Sequence, residues 1–228
     1  MLKIENLTKK FGDQLALHNL SLTANKPGLY LLIGANGSGK STLFNVITGL
    51  MTSFDGTITL NKKTNPDERR ALAGIATEPF YTEPHLTVQE IIDISIMVKR
   101  AKPSESKQWI SFWKLNTVLE KPFKALSTGM KKRLSLVISL IGNPTYLFWD
   151  EPFNGLDPLG IELLNTLIVD LIKQEKYLFL STHLLNELQG LQASCLVIKE
   201  GLLVQQIPNS TLNTSIRESI LQLLKTAQ

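Results

Sequence analysis

Nine consecutive residues constrain this chain more than any others: Gly34-Ala35-Asn36-Gly37-Ser38-Gly39-Lys40-Ser41-Thr42 fill every fixed position of the pattern G-x-x-x-x-G-K-[ST]. The segment before it, Gly28–Ile33, is a short apolar run that suits a buried central strand, and Ser41–Leu50 after it carries a helical pattern. Strand, glycine loop and helix in that order form a phosphate cradle. The glycines let backbone N–H groups curl around phosphate oxygens without side chains in the way. The helix beginning near Lys40 turns the positive end of its dipole toward the same anion. Lys40 supplies a full charge to the β and γ phosphates, and Ser41 offers a hydroxyl to Mg²⁺. A glycine-rich turn that binds nothing would leave Lys40 without a purpose. Taken alone, the motif does not separate an ATPase from a small-molecule kinase or a GTPase, although the guanine-reading Asn-Lys-x-Asp segment of a GTPase is absent.

The remaining elements surround this unit. Lys3–Thr8 and Leu20–Ala24 alternate as half-buried strands; Gly56–Leu60 and Gly74–Thr77 read as further strands. From Val88 to about Ile141 the pattern is helical only, in three pieces (Val88–Lys99, Glu105–Lys114, Gly129–Ile141) separated by Pro103 and Pro122. Strands return at Tyr146–Asp150, Tyr177–Ser181 and Cys195–Glu200, with helices expected at Pro158–Gln174 and Leu184–Leu191 and a short one at Ser215–Leu224. Strand–helix alternation at both ends predicts an α/β fold: a P-loop NTPase core with a mostly parallel sheet, an antiparallel β portion near the N-terminus and an inserted helical subdomain. The expected division is one domain over 1–228, with its core at 1–86 and 144–228 and the helical subdomain at about 87–143. The tail leaves no room for a further domain.

Composition narrows the function classes. The 228 residues carry a net charge of +4, too scattered to argue for nucleic acid, and the densest basic run, Lys131-Lys132-Arg133, reads as a solvated helix face or a site for an acidic partner. Cys195 is the single cysteine, so no intramolecular disulfide or cysteine zinc site forms; its strand-like setting predicts a buried, inert thiol. No stretch of about 18 uncharged apolar residues exists, and the N-terminus is not a secretory signal. A membrane role would therefore run through a partner.

Tyr146–Asp150 is an apolar strand that ends in two carboxylates, Asp150 and Glu151. Asp150 at the strand tip reaches the Mg²⁺ shell beside the glycine loop; Glu151 holds and polarises a water near the γ-phosphate as a general base. Read alone, this pair is better explained by an ordinary strand terminus with solvated acids. Leu126-Ser127-Thr128-Gly129-Met130-Lys131-Lys132-Arg133 before it, Asn154-Gly155-Leu156-Asp157-Pro158 after it and Ser181-Thr182-His183 at the next strand end remove that alternative. Together, and in this order over essentially the whole chain, these segments resemble the ATP-binding subunits of ABC transporters. The Leu-Ser-x-Gly segment is the specific part.

The resemblance implies the roles of further residues. Phe11 matches the aromatic that stacks on adenine, with a core phenylalanine as the alternative. His183 matches the histidine that senses the γ-phosphate. Ser127 and Gly129 belong to the segment that opens a helix toward the γ-phosphate held by another subunit, and Asp157 crosses that interface. The implied partners are a second ABC ATPase subunit, most simply a second copy of the chain joined head to tail around two ATP molecules, and a separate transmembrane permease that places the protein on the cytoplasmic face of the cell membrane. The helical block, with the Glu78 loop beside it, would pass the motion of the dimer to that permease. The implied function is ATP binding and hydrolysis coupled to transport, with an exporter favoured and cargo unspecified. A soluble ABC-type ATPase of translation or DNA repair is the alternative; such proteins usually carry two cassettes or a long coiled coil, and neither is found here.

The chain departs from the family at Glu78, where a glutamine touching Mg²⁺ and the attacking water is usual. Glutamate keeps an oxygen ligand for the metal but brings a third carboxylate near Asp150 and Glu151. Like-charge repulsion then predicts an altered metal or pH dependence of hydrolysis. Thr128 and Met130 also differ from the commonest residues of the signature, while Ser127 and Gly129 are kept.

Overall fold

The computed structural model describes residues 1–183 and 185–225. Its centre is a six-stranded sheet in the order β5-β6-β7-β3-β8-β9, made of β3 (Gly28–Ile33), β5 (Ala73–Ala76), β6 (Tyr146–Asp150), β7 (Tyr177–Thr182), β8 (Gln192–Lys199) and β9 (Leu202–Thr211). The first five of these in chain order are parallel to their neighbours and only β9 runs antiparallel, against β8. A separate antiparallel sheet, β2-β1-β4, comes from β1 (Leu2–Phe11), β2 (Gln14–Ala24) and β4 (Asp55–Leu60).

The period of two along the parallel strands divides the interior into two cores. Leu29, Leu31 and Ile33 of β3 point to one, with Leu147 and Trp149 of β6 and Leu178 and Leu180 of β7. Tyr30 and Leu32, Tyr146 and Phe148, and Tyr177 and Phe179 point to the other. Both faces are covered, which explains why these strands read as unbroken apolar runs. The first core is closed by α3 (Val88–Lys99), α4 (Pro103–Phe112), α5 (Thr128–Leu140) and α6 (Pro158–Lys173). The second is closed by the antiparallel sheet and by α1 (Lys40–Ile47), the helix that follows the glycine loop.

Aromatic rings tie α1 to the sheet beneath it. Tyr30 stacks on Phe179 at 4.8 Å, Phe179 on Phe148 at 4.9 Å, and Phe44 of α1 meets Phe148 edge-on at 5.6 Å. On the opposite face, the Trp149 indole N–H donates to Ser139 Oγ at 2.9 Å and fixes α5 against β6. Cys195 is fully buried in β8 as expected, and burial pushes its thiol up to about 11.

Several elements differ from the sequence reading. Where a helix was expected over 184–191, Leu184 lies outside the described residues and only a short 3-10 turn forms, Leu185–Leu188. One α-helix and one strand were missed, α2 (Pro66–Leu72) and β9, as were the 3-10 turns Asn116–Val118 and Phe123–Ala125. The tail helix, α7 (Thr214–Lys225), forms one residue beyond each expected end. Among the described residues no helix is long and apolar enough to cross a membrane.

Candidate active site

The glycine loop is held by the strands around it. Gly39 caps α1 with φ 104°, and a Cβ placed there would lie 2.6 Å from the Ala16 carbonyl oxygen of β2, so only glycine fits. Gly201 N–H, in the β8–β9 turn, donates to Ser38 O at 3.0 Å and pins the loop from the other side. Ala35, Asn36 and Gly37 form an exposed rim, with Ser41 exposed and Thr42 half-buried at the start of α1. The Lys40 ammonium is buried and donates to Gly34 O at 2.9 Å and Ala35 O at 3.1 Å. It also stands 3.9 Å from Glu151 Oε1.

Asp150 and Glu151 share one residue of the neighbouring strand. Ser181 of β7 lies opposite Asp150 and its hydroxyl donates to Asp150 Oδ1. The same hydroxyl accepts from Glu151 N–H at 2.9 Å, and Ser181 O accepts from that N–H at 3.2 Å. Glu151 then leaves the strand with φ 44°, in the left-handed region. Glu151 Oε2 pairs with His183 Nδ1 at 2.9 Å, while Glu151 Oε1 is buried without a hydrogen-bond partner. Lys40, Glu151 and His183 thus form one chain of contacts, with the histidine half exposed at its outer end.

Glu78 has a counter-ion that the sequence argument did not anticipate. It follows β5, whose Ala76 lies beside Trp149, so the chain places it alongside the end of β6. There the Glu78 carboxylate pairs with the Lys132 ammonium of α5, which also donates to Glu151 O at 3.0 Å and Asp150 O at 3.4 Å. The repulsion expected from Glu78 thus meets a buried counter-ion, Lys132, which reaches Asp150 and Glu151 at their main-chain carbonyls. The basic run is also not a simple solvated face. Lys131 covers the Phe123 ring at 4.9 Å, Lys132 is buried, and Arg133 binds Asp157 at 2.5 Å.

The Leu-Ser-Thr-Gly segment meets a different neighbour. Ser127 caps α5, accepting from Met130 N–H at 3.3 Å. A Cβ on Gly129 would lie 2.7 Å from Gly155 O, and one on Gly155 2.9 Å from the Thr128 methyl, so the two loops approach closely only because both positions lack a side chain. Asp157 caps α6 by accepting from Gly160 N–H at 2.9 Å. That bond, then its Arg133 partner, hold the Asp157 carboxyl below the usual carboxylate range. Ser127, Gly129 and Asp157 thus gather where α5 and α6 begin. Phe11 ends β1 with its ring 48% exposed and Lys9 at 4.9 Å from its centre, which excludes the core alternative.

Two residues of the site escaped the sequence reading as functional candidates, Ser181 and Lys132. Lys132 had a legible signal: it lies four residues before Leu136 and eight before Leu140 on the buried face of α5.

A divalent metal was expected at Ser41, Asp150 and Glu78, and the oxygens present suit one. A hydroxyl and two carboxylates, with neither nitrogen nor sulfur, suit a hard cation whose coordination is completed by phosphate and water. Among the described residues no group of three or more His, Cys, Asp or Glu forms a cage for a metal alone.

A glycine cradle with a buried lysine, facing two strand-end carboxylates and a histidine, defines a P-loop nucleoside-triphosphatase. Residues 17–154 match the family described as ABC transporter. The lantibiotic transport ATP-binding protein SrtF of Streptococcus pyogenes is 33% identical over 206 residues, 90% of this chain and 89% of that protein. A solved ATP-binding subunit of an ABC transporter superposes with a TM-score of 0.83 at 25% identity, covering all of this chain and 95% of that one. A dimeric ATP-binding cassette in a post-hydrolysis state with ADP and Pi shares the fold, with a TM-score of 0.79 at 22% identity over 93% of this chain and 99% of that one. The chain belongs to the ABC transporter family, as an ATP-binding, ATP-hydrolysing transport subunit. The translation or DNA-repair alternative is set aside by these relatives.

Proposed function

We propose that this chain hydrolyses Mg-ATP within a head-to-tail dimer of two copies and so drives a separate permease, on the cytoplasmic face of the membrane. The observation that carries the reading is the Lys40–Glu151–His183 chain, in which a buried carboxylate oxygen at 3.9 Å from the lysine has no hydrogen-bond partner. Such an oxygen is free to accept a proton from water.

In this reading Lys40 exchanges the carbonyls of Gly34 and Ala35 for phosphate oxygens as the triphosphate enters. Ser41, Asp150 and Glu78 would hold Mg²⁺, which neutralises charge on the β and γ phosphates when bound. Ser181 keeps Asp150 aimed at the loop and locks the backbone of Glu151, so the two neighbouring carboxylates take separate tasks. Glu151 orients the attacking water and receives its proton, while His183 steadies Glu151 from the open side. Phe11 offers its exposed ring to adenine.

Ser127 and Gly129 present the N-terminus of α5 to the triphosphate held by the second copy, and Asp157 lies at that interface. The division into a core, 1–86 and 144–228, and a helical subdomain, about 87–143, belongs to the same reading, with the subdomain passing the closing motion to the permease. Outward transport is the direction the compact helical block fits.

Sedimentation of a Glu151→Gln variant tests the dimer. Saturating Mg-ATP should convert it from one copy to two, and a Ser127→Arg substitution in the same chain should prevent the conversion. A variant that stays monomeric at saturating nucleotide refutes the head-to-tail assembly.

A further inference from the structure

We propose that Lys132 is a positioning residue for hydrolysis, a buried clamp that joins α5 to the loop bearing Glu78 and to the turn bearing Asp150 and Glu151. The inference rests on the assignment of those two carboxylates given above. An ammonium has three donors. Here the three acceptors are Glu78 Oε2, Glu151 O at 3.0 Å and Asp150 O at 3.4 Å, and the group is only 4% exposed. The acceptors come from two separate segments of chain, and the lysine comes from a third. Its removal frees the Glu78 loop and the β6 turn from each other at once.

The charges explain why a lysine stands there. Glu78 is an anion joined through one ammonium to the main chain of the turn that bears Asp150 and Glu151. The buried ammonium cancels that charge, so the position tolerates glutamate. The two residues should therefore behave as one unit: either is harmful alone, and removing both charges together is milder. Because α5 is the same helix whose N-terminus carries Ser127 and Gly129, the clamp also couples that helix to the hydrolytic carboxylates of its own chain.

The test is a double-substitution cycle on the full chain with Lys132→Gln, Glu78→Gln and the pair combined. The first readout is the melting temperature without nucleotide; the second is kcat and KM for ATP. Lys132→Gln is expected to lower kcat about tenfold and raise KM, because an uncancelled Glu78 repels the triphosphate, and to lower the melting temperature by about 5 °C. Glu78→Gln alone, which strands the ammonium, should also melt early. The combined variant should melt above either single one, and its loss of kcat should be smaller than the product of the two single losses. Losses that simply add, or single variants that match wild type, overturn the proposal. If Lys132→Gln yields no folded protein, folded combined variant supports the clamp and unfolded combined variant overturns it. Wild-type turnover that survives Glu151→Gln would instead undo the assignment of the site, and the melting cycle would still report on the pair.

Discussion

Replacing Glu151 by glutamine changes one oxygen for an amide and leaves the shape of the side chain intact. Its backbone N–H keeps both bonds to Ser181, so the turn after β6 is held as before. The contact to His183 is weakened, but the histidine side chain is 51% exposed and the loss is about 1 kcal/mol at most, a melting shift of about 2–4 °C. The Lys40 ammonium loses an anion at 3.9 Å, an attraction of about 4 kcal/mol as a ceiling at an effective dielectric of about 20. Released from that anion, the lysine binds phosphate at least as well as before. The chemistry fares differently. A positioned general base contributes about 10²–10⁴-fold, so kcat should fall by that factor. Phosphate release, binding of a fluorescent nucleotide and thermal melting together separate these effects. The expected outcome is lost turnover with undiminished affinity and a melting point lowered by about 2–4 °C or somewhat more. Phosphate release at more than about a third of the wild-type rate would falsify the assignment of Glu151 as the base.

Other outcomes follow from the same geometry. Gly39→Ala forces a methyl to within 2.6 Å of Ala16 O at φ 104°, and nucleotide binding should be lost with a melting point several degrees lower, about 1–3 kcal/mol of strain; wild-type affinity would contradict the stated fit. Ser181→Ala removes a donor to Asp150 and an acceptor from Glu151, so both stability, by about 1–3 kcal/mol, and kcat should drop, whereas Ser181→Thr should retain part of each. Lys99 donates to Ile138 O and Ile141 O at the end of α5, and burial brings its ammonium down to about 8. Between pH 8 and pH 10.5 the unfolded chain therefore holds a proton that the folded one has released, and stability should rise with pH across that window. Melting curves of Lys99→Met should lack this rise; an identical slope in both proteins would contradict it.

The sequence made the parallel core legible because burial on both faces forces strands to be apolar throughout: β3 and β6 were read with their observed ends. Helix α3 was equally plain from its apolar periodicity, and in the structure Thr87 and Glu90 close a capping box at its start. What was missed lacks such a pattern. β9 is an edge strand, half or fully exposed along its length, and its conformation is set by pairing with β8. α2 has only seven residues and a single buried one, though Asn65 and Pro66 mark its start. The glycine cradle and the carboxylate pair could be read locally because their chemistry lies in consecutive residues. Ser181 and Lys132 act across 30 and 18 or 19 residues of chain, and only the sheet register and the placing of α5 bring them to the site.

The bare-backbone meeting of Gly129 and Gly155, latched by Arg133 and Asp157, has a bearing on how this surface changes over time. A side chain gained at either glycine would prise apart two loops that a twin chain is proposed to touch together. Drift at one loop is thus tolerable only alongside a matching change at the other, and the pair should be inherited as a single block.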